Sequence, residues 1–399
     1  MSHIAILTIP GTGHVNPTTD LVIEAIARGH RVSFAAPAGF GDAARAAGAE
    51  VITYDSLLTA KPDGAATPEQ FALYLPFILL AESKQIVPQL VAAFGADTPD
   101  VLLFDRTAYV AGRALRDVWG RRAIQLFPSF AYSDGFSLAA VTNQRSVLDP
   151  EDEAYRLLAS QLAEFCAEKR IAPISVRDFA LALSDEAVVF LSRDFQPAAD
   201  TFPPGYAFVG PCFRSRLSES VARRSDEAVE PFSVYASLGT AFTDRPEVYS
   251  TIIEALGAAR ASGLLSLGGD PALAATVGRM SVPTNVDVRP VVDQLAVLES
   301  AEVFVTHAGM GGVQEAMSFG VPLVCLPGTT EQQTVASRVA ELGLGVTFGT
   351  RVPGAAELAS AIHHVRTDPA IRTRLAHMRE ELAACGGAAA ALDVIEGCR

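Results

Sequence analysis

VFVTHAGMGGVQEAMSFGVPLVCLP, Val303 to Pro327, sets two apolar runs around a glycine-rich turn and an amphipathic stretch. The β-branched run Val303–Thr306 reads as a strand, a helix begins near Gly311, and VPLVCLP reads as a second strand. A strand, a helix and a strand in close succession form a crossover unit, which makes the two strands parallel. The turn between the first strand and the helix leaves backbone N–H groups pointing out along a positive helix end, and such a place holds an anion. His307 can donate to the same anion. Glu315, read here as lying on the first helical turn, can accept from hydroxyls of whatever carries the charge. A glycine turn made only for packing, with an ordinary N-terminal helix charge, has the same local sequence.

The same alternation extends outward on both sides. FSVYASLG, LLSLGG and NVDVRP precede this unit as strands, separated by helices such as PEVYSTIIEALGAA. The first half repeats the pattern with IAILTI, RVSFAAP, VLLFD and RAIQLFP. Between the halves, GPCFRSRLSESVARRSDEAVEP is rich in charge and serine and too poor in apolar residues to build a core, so it reads as a linker. The fold class that follows is α/β, with an open parallel sheet in each half. The domain boundaries read as 1–208, a linker at 209–231, a second domain at 232–375 and a terminal helix at 376–399.

With 399 residues and 49% hydrophobic composition, the chain has material for two cores. Its net charge of −14 argues against nucleic acid, which needs clustered positive charge. Mean hydropathy is positive, yet no uninterrupted apolar stretch approaches the roughly 18 residues of a spanning helix, so no membrane partner is expected. The N-terminus lacks a basic region ahead of its first apolar run, and the five cysteines never fall as CxxC; cytoplasmic localisation and no zinc are the expectations.

A second stretch, PGTGHVNP at Pro10–Pro17, follows the first strand. It matches only part of a dinucleotide fingerprint, and the second strand ends without an acidic residue for a ribose. Asn16 is a candidate helix cap and Pro17 a candidate opener, which leaves His14 on the turn at a strand's carboxyl edge, where open α/β sheets bind ligands. A capping or packing histidine is the plainer reading. Asp105, ending VLLFD, is likewise either a partner for chemistry or a cap for the next helix.

Taken together, the stretch from Thr306 to Gly345, with GTGHVNP and SLGT, resembles the nucleotide-sugar motif of family 1 glycosyltransferases, H-x-G-x-x-S/G-x-x-E followed by an acidic-Gln pair. The resemblance covers nearly the whole chain and is nearest to bacterial macrolide and natural-product glycosyltransferases. It implies a GT-B architecture: two facing Rossmann-like domains, the acceptor on the first and the nucleotide-sugar donor on the second, with a C-terminal helix crossing back. It implies His14 as general base and Asp105 as its dyad carboxylate. It places the leaving diphosphate on His307 and the Gly309 turn, with the N–H groups of Gly311, Gly312 and Val313, puts Ser237 and Thr240 near diphosphate and sugar, and makes Glu315 the ribose ligand. Glu331 and Gln332 match the pair that reads the sugar hydroxyls. No resident cofactor is implied, no DxD motif suggests a metal, and the quaternary state is expected to be a monomer or homodimer.

Two departures stand out. Many relatives carry a base-stacking tryptophan where this chain has Val291, which shifts base recognition toward backbone near Val288–Val292 and toward Arg289 and leaves UDP versus dTDP open. Gly312 stands where plant relatives have serine. Phe71, Tyr74, Phe77, Phe130, Tyr132 and Phe136 cluster in an otherwise aromatic-poor chain and are candidates for an apolar cleft that holds a bulky acceptor, though each also suits ordinary core. A sugar-nucleotide epimerase of the same architecture and a non-catalytic small-molecule binder are the competing functions.

Overall fold

The computed structural model describes residues 1–59, 68–138, 149–213, 215–217, 233–240, 245–259 and 261–397, with side chains from residue 74 onward in the second of these segments. The chain divides into two compact units, Met1–Phe213 with Cys385–Arg399, and Arg214–Ala384. The proposed linker at 209–231 lies in part outside the described residues.

In the first unit the strands β1 (His3–Leu7), β2 (Arg31–Ala36), β3 (Glu50–Thr53), β4 (Val101–Asp105), β5 (Arg122–Phe127), β6 (Ala187–Val189) and β7 (Tyr206–Phe208) form one sheet. Its order is β3-β2-β1-β4-β5-β6-β7, and every pairing is parallel. The apolar runs are buried on both faces because a parallel sheet is covered on both by its crossover segments. One face packs Ile4, Ile6, Leu103, Ile124 and Leu126 against Leu21 and Val22 of the helix Thr12–Ala27 and against Leu392 and Ile395 of the final helix. In the second unit β8 (Val234–Ser237), β9 (Gly263–Ser266), β10 (Val286–Arg289), β11 (Val303–Thr306), β12 (Leu323–Cys325) and β13 (Gly345–Thr347) are ordered β10-β9-β8-β11-β12-β13, again all parallel. Strand order reverses between β1 and β4 in one sheet and between β8 and β11 in the other, so each unit has a crevice at that point of its carboxyl edge.

The first helix begins earlier than Asn16 and Pro17 suggest. It runs Thr12–Ala27 with Gly11 as an extended N-cap and Pro17 inside it. Val15 N–H already bonds the Gly11 carbonyl at 3.0 Å, and the Thr18 hydroxyl bonds the Val15 carbonyl at 2.7 Å. His14 therefore stands on the first helical turn rather than on a loop before it. Among the described residues, one helical segment, Tyr74–Phe94, is long and apolar enough to cross a membrane. Here its Leu80, Ile86, Val87 and Leu90 are buried in the first unit.

The C-terminal segment is two helices and not the single one expected. Gly386 and Gly387 both adopt positive φ, a conformation that costs glycine little and ends the helix Pro369–Ala384 within the second unit. The helix Gly387–Ile395 then belongs to the first unit, where Gly387 N–H bonds the Val209 carbonyl at 2.7 Å. Arg28 reaches Asp393, Glu396 and the Ala389 carbonyl, and Arg122 donates to the terminal carbonyls of Val394 and Ile395.

Leu392 is fully buried in this contact, so Leu392→Ala is expected to destabilise the first unit by about 2–5 kcal/mol, the usual range for such a truncation. Trp119 is the chain's single tryptophan and packs on Phe94 at 4.9 Å, so its fluorescence during denaturation reports this unit. An unchanged midpoint would show that the terminal helix is not part of that cooperative fold.

Candidate active site

At the carboxyl edge of the first sheet, His14 follows β1 and Asp105 ends β4, the two strands that flank the switch of order. His14 Nδ1 lies 2.8 Å from Asp105 Oδ2, and the side chains are 31% and 3% exposed. The buried carboxylate can only accept, so Nδ1 is the protonated nitrogen and Nε2 keeps its lone pair. The other carboxylate oxygen accepts from the Thr107 backbone N–H at 2.8 Å and from the Thr107 hydroxyl. Asp105 thus pairs with His14 and caps the turn Arg106–Ala108 at once, one oxygen serving each task. Burial pushes its carboxyl pKa up, but the charge and hydrogen bond of His14 and the Thr107 donors outweigh this and hold it below the ordinary value. An imidazole whose Nε2 keeps its lone pair, oriented by an ionised carboxylate, can take a proton from a hydroxyl.

The second unit carries a turn of different chemistry. Ala308 between β11 and the helix Met310–Phe319 takes φ 61, a strained conformation for a residue with a Cβ, held by complete burial. That bend brings the N–H groups of the helix's first turn to the carboxyl edge beside His307. Gly309 and Gly239 wall in the imidazole: a Cβ on Gly309 would stand 2.4 Å from Nε2, and one on Gly239 2.8 Å from Cε1. Burial pulls the His307 pKa down to about 4, against a smaller upward pull from the Ser237 backbone. Its Nδ1 is buried without a hydrogen-bond partner. Ser237 is buried at the end of β8, where its Oγ accepts from Gly239 N–H at 3.3 Å, and Thr240 is exposed.

Several assignments change at this resolution of detail. Val313 N–H is bonded to the Gly309 carbonyl at 3.0 Å, so the cradle of free donors is Met310, Gly311 and Gly312. Glu315 falls on the second helical turn, since the helix starts at Met310. It is buried, with Oε1 accepting from Arg216 and Oε2 from Gln294 Nε2 at 2.5 Å, while Gln294 Oε1 accepts from Tyr235 at 3.1 Å. Arg216 and Gln294 escaped the sequence reading: one lies in the linker stretch, the other beside the missing tryptophan. Both line a cavity of about 460 Å³ with Val291, Val292, Asp293 and Leu295. Arg289 does not line it; it donates to Asp287 on its own strand at 2.8 Å.

Gln332 differs most from its expected role. Its Oε1 accepts from the N–H groups of Gly328 (2.8 Å) and Thr329 (3.2 Å), while its own N–H bonds the Thr329 hydroxyl. This is a capping box, and the spacing Thr329-x-x-Gln332 was its legible signal. Glu331 beside it is exposed. Of the aromatic set, Phe130 and Phe136 are core rather than cleft lining, packed at 5.5 Å with Phe195 stacked on Phe130 at 5.8 Å. Tyr132 is also buried, under Arg106. Tyr74 is exposed, Phe77 half-buried, and the Phe71 side chain lies outside the described residues. Among the described residues no group of three His, Cys, Asp or Glu is placed to hold a metal ion.

Residues 273–391 match the model of the erythromycin biosynthesis protein CIII-like C-terminal domain. The chain is 33% identical to the NDP-glycosyltransferase YjiC of Bacillus licheniformis, over 99% of this chain and 97% of that one. It is 32% identical to the demethyllactenocin mycarosyltransferase of Streptomyces fradiae, over 100% and 86%. The calicheamicin glycosyltransferase CalG4 superposes with a TM-score of 0.84 at 28% identity, covering 100% of this chain and 98% of that one. The chain belongs to the bacterial natural-product glycosyltransferases, and its two parallel-sheet units have the GT-B fold.

A His307 pKa of about 4 means that the ring is neutral at pH 7 rather than a cation. Its NMR resonances are expected to show no titration step between pH 5.5 and 8. A midpoint near the ordinary value of about 6.5 would mean that the ring is hydrated and the glycine walls do not enclose it.

Proposed function

We propose that this glycosyltransferase moves a hexose from a UDP- or dTDP-linked donor to a hydroxyl of a natural-product acceptor in one inverting, metal-independent displacement. The observation that carries the reading is the 2.8 Å contact between His14 Nδ1 and Asp105 Oδ2 at the switch point of the first sheet. In the proposed step the acceptor oxygen forms a bond to the anomeric carbon while the bond from that carbon to the diphosphate oxygen breaks. The acceptor proton passes to His14 Nε2, and ionised Asp105 stabilises the imidazolium that results. The departing negative charge falls on the free N–H groups of Met310, Gly311 and Gly312, with His307 as an added donor.

The cavity along Val291–Leu295 supports a nucleoside site in the second unit, because 69% exposed Val291 offers an apolar surface to a base. Glu315, fixed by Arg216 and Gln294, is the carboxylate suited to ribose hydroxyls. Sugar reading falls to Glu331 and the Nε2 amide of Gln332, since the Gln332 carbonyl is committed to its cap. A carboxylate that reads vicinal hydroxyls favours a hexose that retains them, with glucose the proposed sugar. The epimerase and binder alternatives give way to the family membership.

His14→Ala is expected to lower turnover by about 10²-fold or more while nucleoside diphosphate affinity stays within error. Asp105→Asn should also cost turnover, because an amide cannot serve the imidazolium and the Thr107 donors as a carboxylate does. Sugar transfer to a polyketide panel, followed by mass spectrometry with and without EDTA, measures both; wild-type rates in either variant would reject the dyad, and loss of activity on chelation would reject the metal-free step.

Donor choice is read by competition among UDP-glucose, dTDP-glucose and a dTDP-dideoxysugar. Wild type should prefer a full hexose, and Glu331→Ala should narrow that preference. Selection of the dideoxysugar by wild type would overturn the assignment.

A further inference from the structure

Arg106 is the first residue of the turn that follows β4, directly after Asp105. Its guanidinium carbon sits 3.9 Å from the centroid of the Tyr132 ring, a cation–π contact. Tyr132 lies in the loop after β5 and packs edge-on to Phe136 at 6.2 Å. Arg106 Nε is buried without a hydrogen-bond partner. Among the described residues no carboxylate lies within ion-pair distance of this side chain. Asp105, its neighbour in the chain, spends one oxygen on His14 and the other on Thr107. Arg28, Arg122 and Arg216 of this protein each meet a carboxylate, whereas Arg106, like Arg113 and Arg193, lies against an aromatic ring.

A guanidinium placed on an aromatic ring presents one face to the ring and keeps its N–H groups in the plane. The terminal N–H groups of that fork match a planar pair of oxygens. The loops after β1, β4 and β5 emerge side by side at one edge of the sheet, because these strands are neighbours there. His14, Arg106 and Tyr132 therefore belong to one edge of one unit. The chain is strongly acidic overall, and among the described residues none of its carboxylates pairs with Arg106 at that edge.

We propose that Arg106 is an acceptor-specificity residue that binds a carboxylate carried by the acceptor near the hydroxyl that His14 deprotonates. The inference rests on the glycosyl-transfer reading and amends the expected acceptor from a purely apolar one to an apolar body with one acid group.

The test uses 6-hydroxy-2-naphthoate and its methyl ester, which share one hydroxyl and one ring system. Their dissociation constants are measured for wild type, Arg106→Lys and Arg106→Met, and transfer from UDP-glucose to each is followed separately. Comparing wild type with variant cancels the intrinsic difference between acid and ester. The acid should bind wild type about 10-fold or more tighter than Arg106→Met, as expected for a charge-assisted pair, with Arg106→Lys between them and the ester nearly indifferent. Unchanged UDP affinity and an unchanged Trp119 unfolding midpoint show that both units are intact. Equal affinity of the acid for wild type and Arg106→Met, or no binding of the acid to wild type, would overturn the proposal and leave Arg106 as a packing residue. Binding that depends on Arg106 without sugar transfer in any donor and acceptor pairing would instead fail the transfer reading and leave the carboxylate site standing.

Discussion

A parallel strand cannot turn back on itself, so each one must be followed by a crossover that starts at the same edge of the sheet. Every residue that follows a strand is thereby delivered to one rim, whatever its distance in sequence. His14 and Asp105 are separated by 91 positions and meet at 2.8 Å because β1 and β4 are neighbours in the sheet. The second unit repeats the arrangement with β8 and β11, which brings Ser237 and Gly239 to His307. The chemistry of both units rests on this one constraint.

Within it, the sites are organised by satisfying buried polar groups. Asp105 is ionised and buried because its two oxygens serve two elements, the first helix and the turn after β4. Losing either partner would leave a buried charge poorly solvated. Glu315 follows the same rule with Arg216 and Gln294, the two residues that hold its carboxylate and themselves line the cavity. His307 takes the other course: it is enclosed by two glycines and sheds its charge. A neutral ring beside a helix N-terminus leaves the field of the backbone dipoles in place without the cost of desolvating a cation.

The alternation of apolar runs with amphipathic stretches was enough to identify two α/β halves, and glycine turns after strands marked where ligands approach. Periodicity did not fix the ends of the elements. Pro17 looked like a helix opener, yet the Gly11 carbonyl starts the helix a turn earlier, and that shift moved His14 onto it. Likewise Gly386 and Gly387 split what reads as one terminal helix and send its last turns to the other unit.

The sequence by itself determined which residue types stand after which strands, since that is a matter of order along the chain: His14, Asp105, His307 and the glycines around it were all legible. Only the tertiary structure decided which atoms of those residues are free. In the structure the Gln332 carbonyl closes a capping box, the Val313 N–H continues the helix, and Arg289 pairs along its own strand. Arg106 and Arg216 carried no sequence signal, because a cation's role depends on whether a carboxylate stands near it in space, and that is set by which loops share an edge of the sheet.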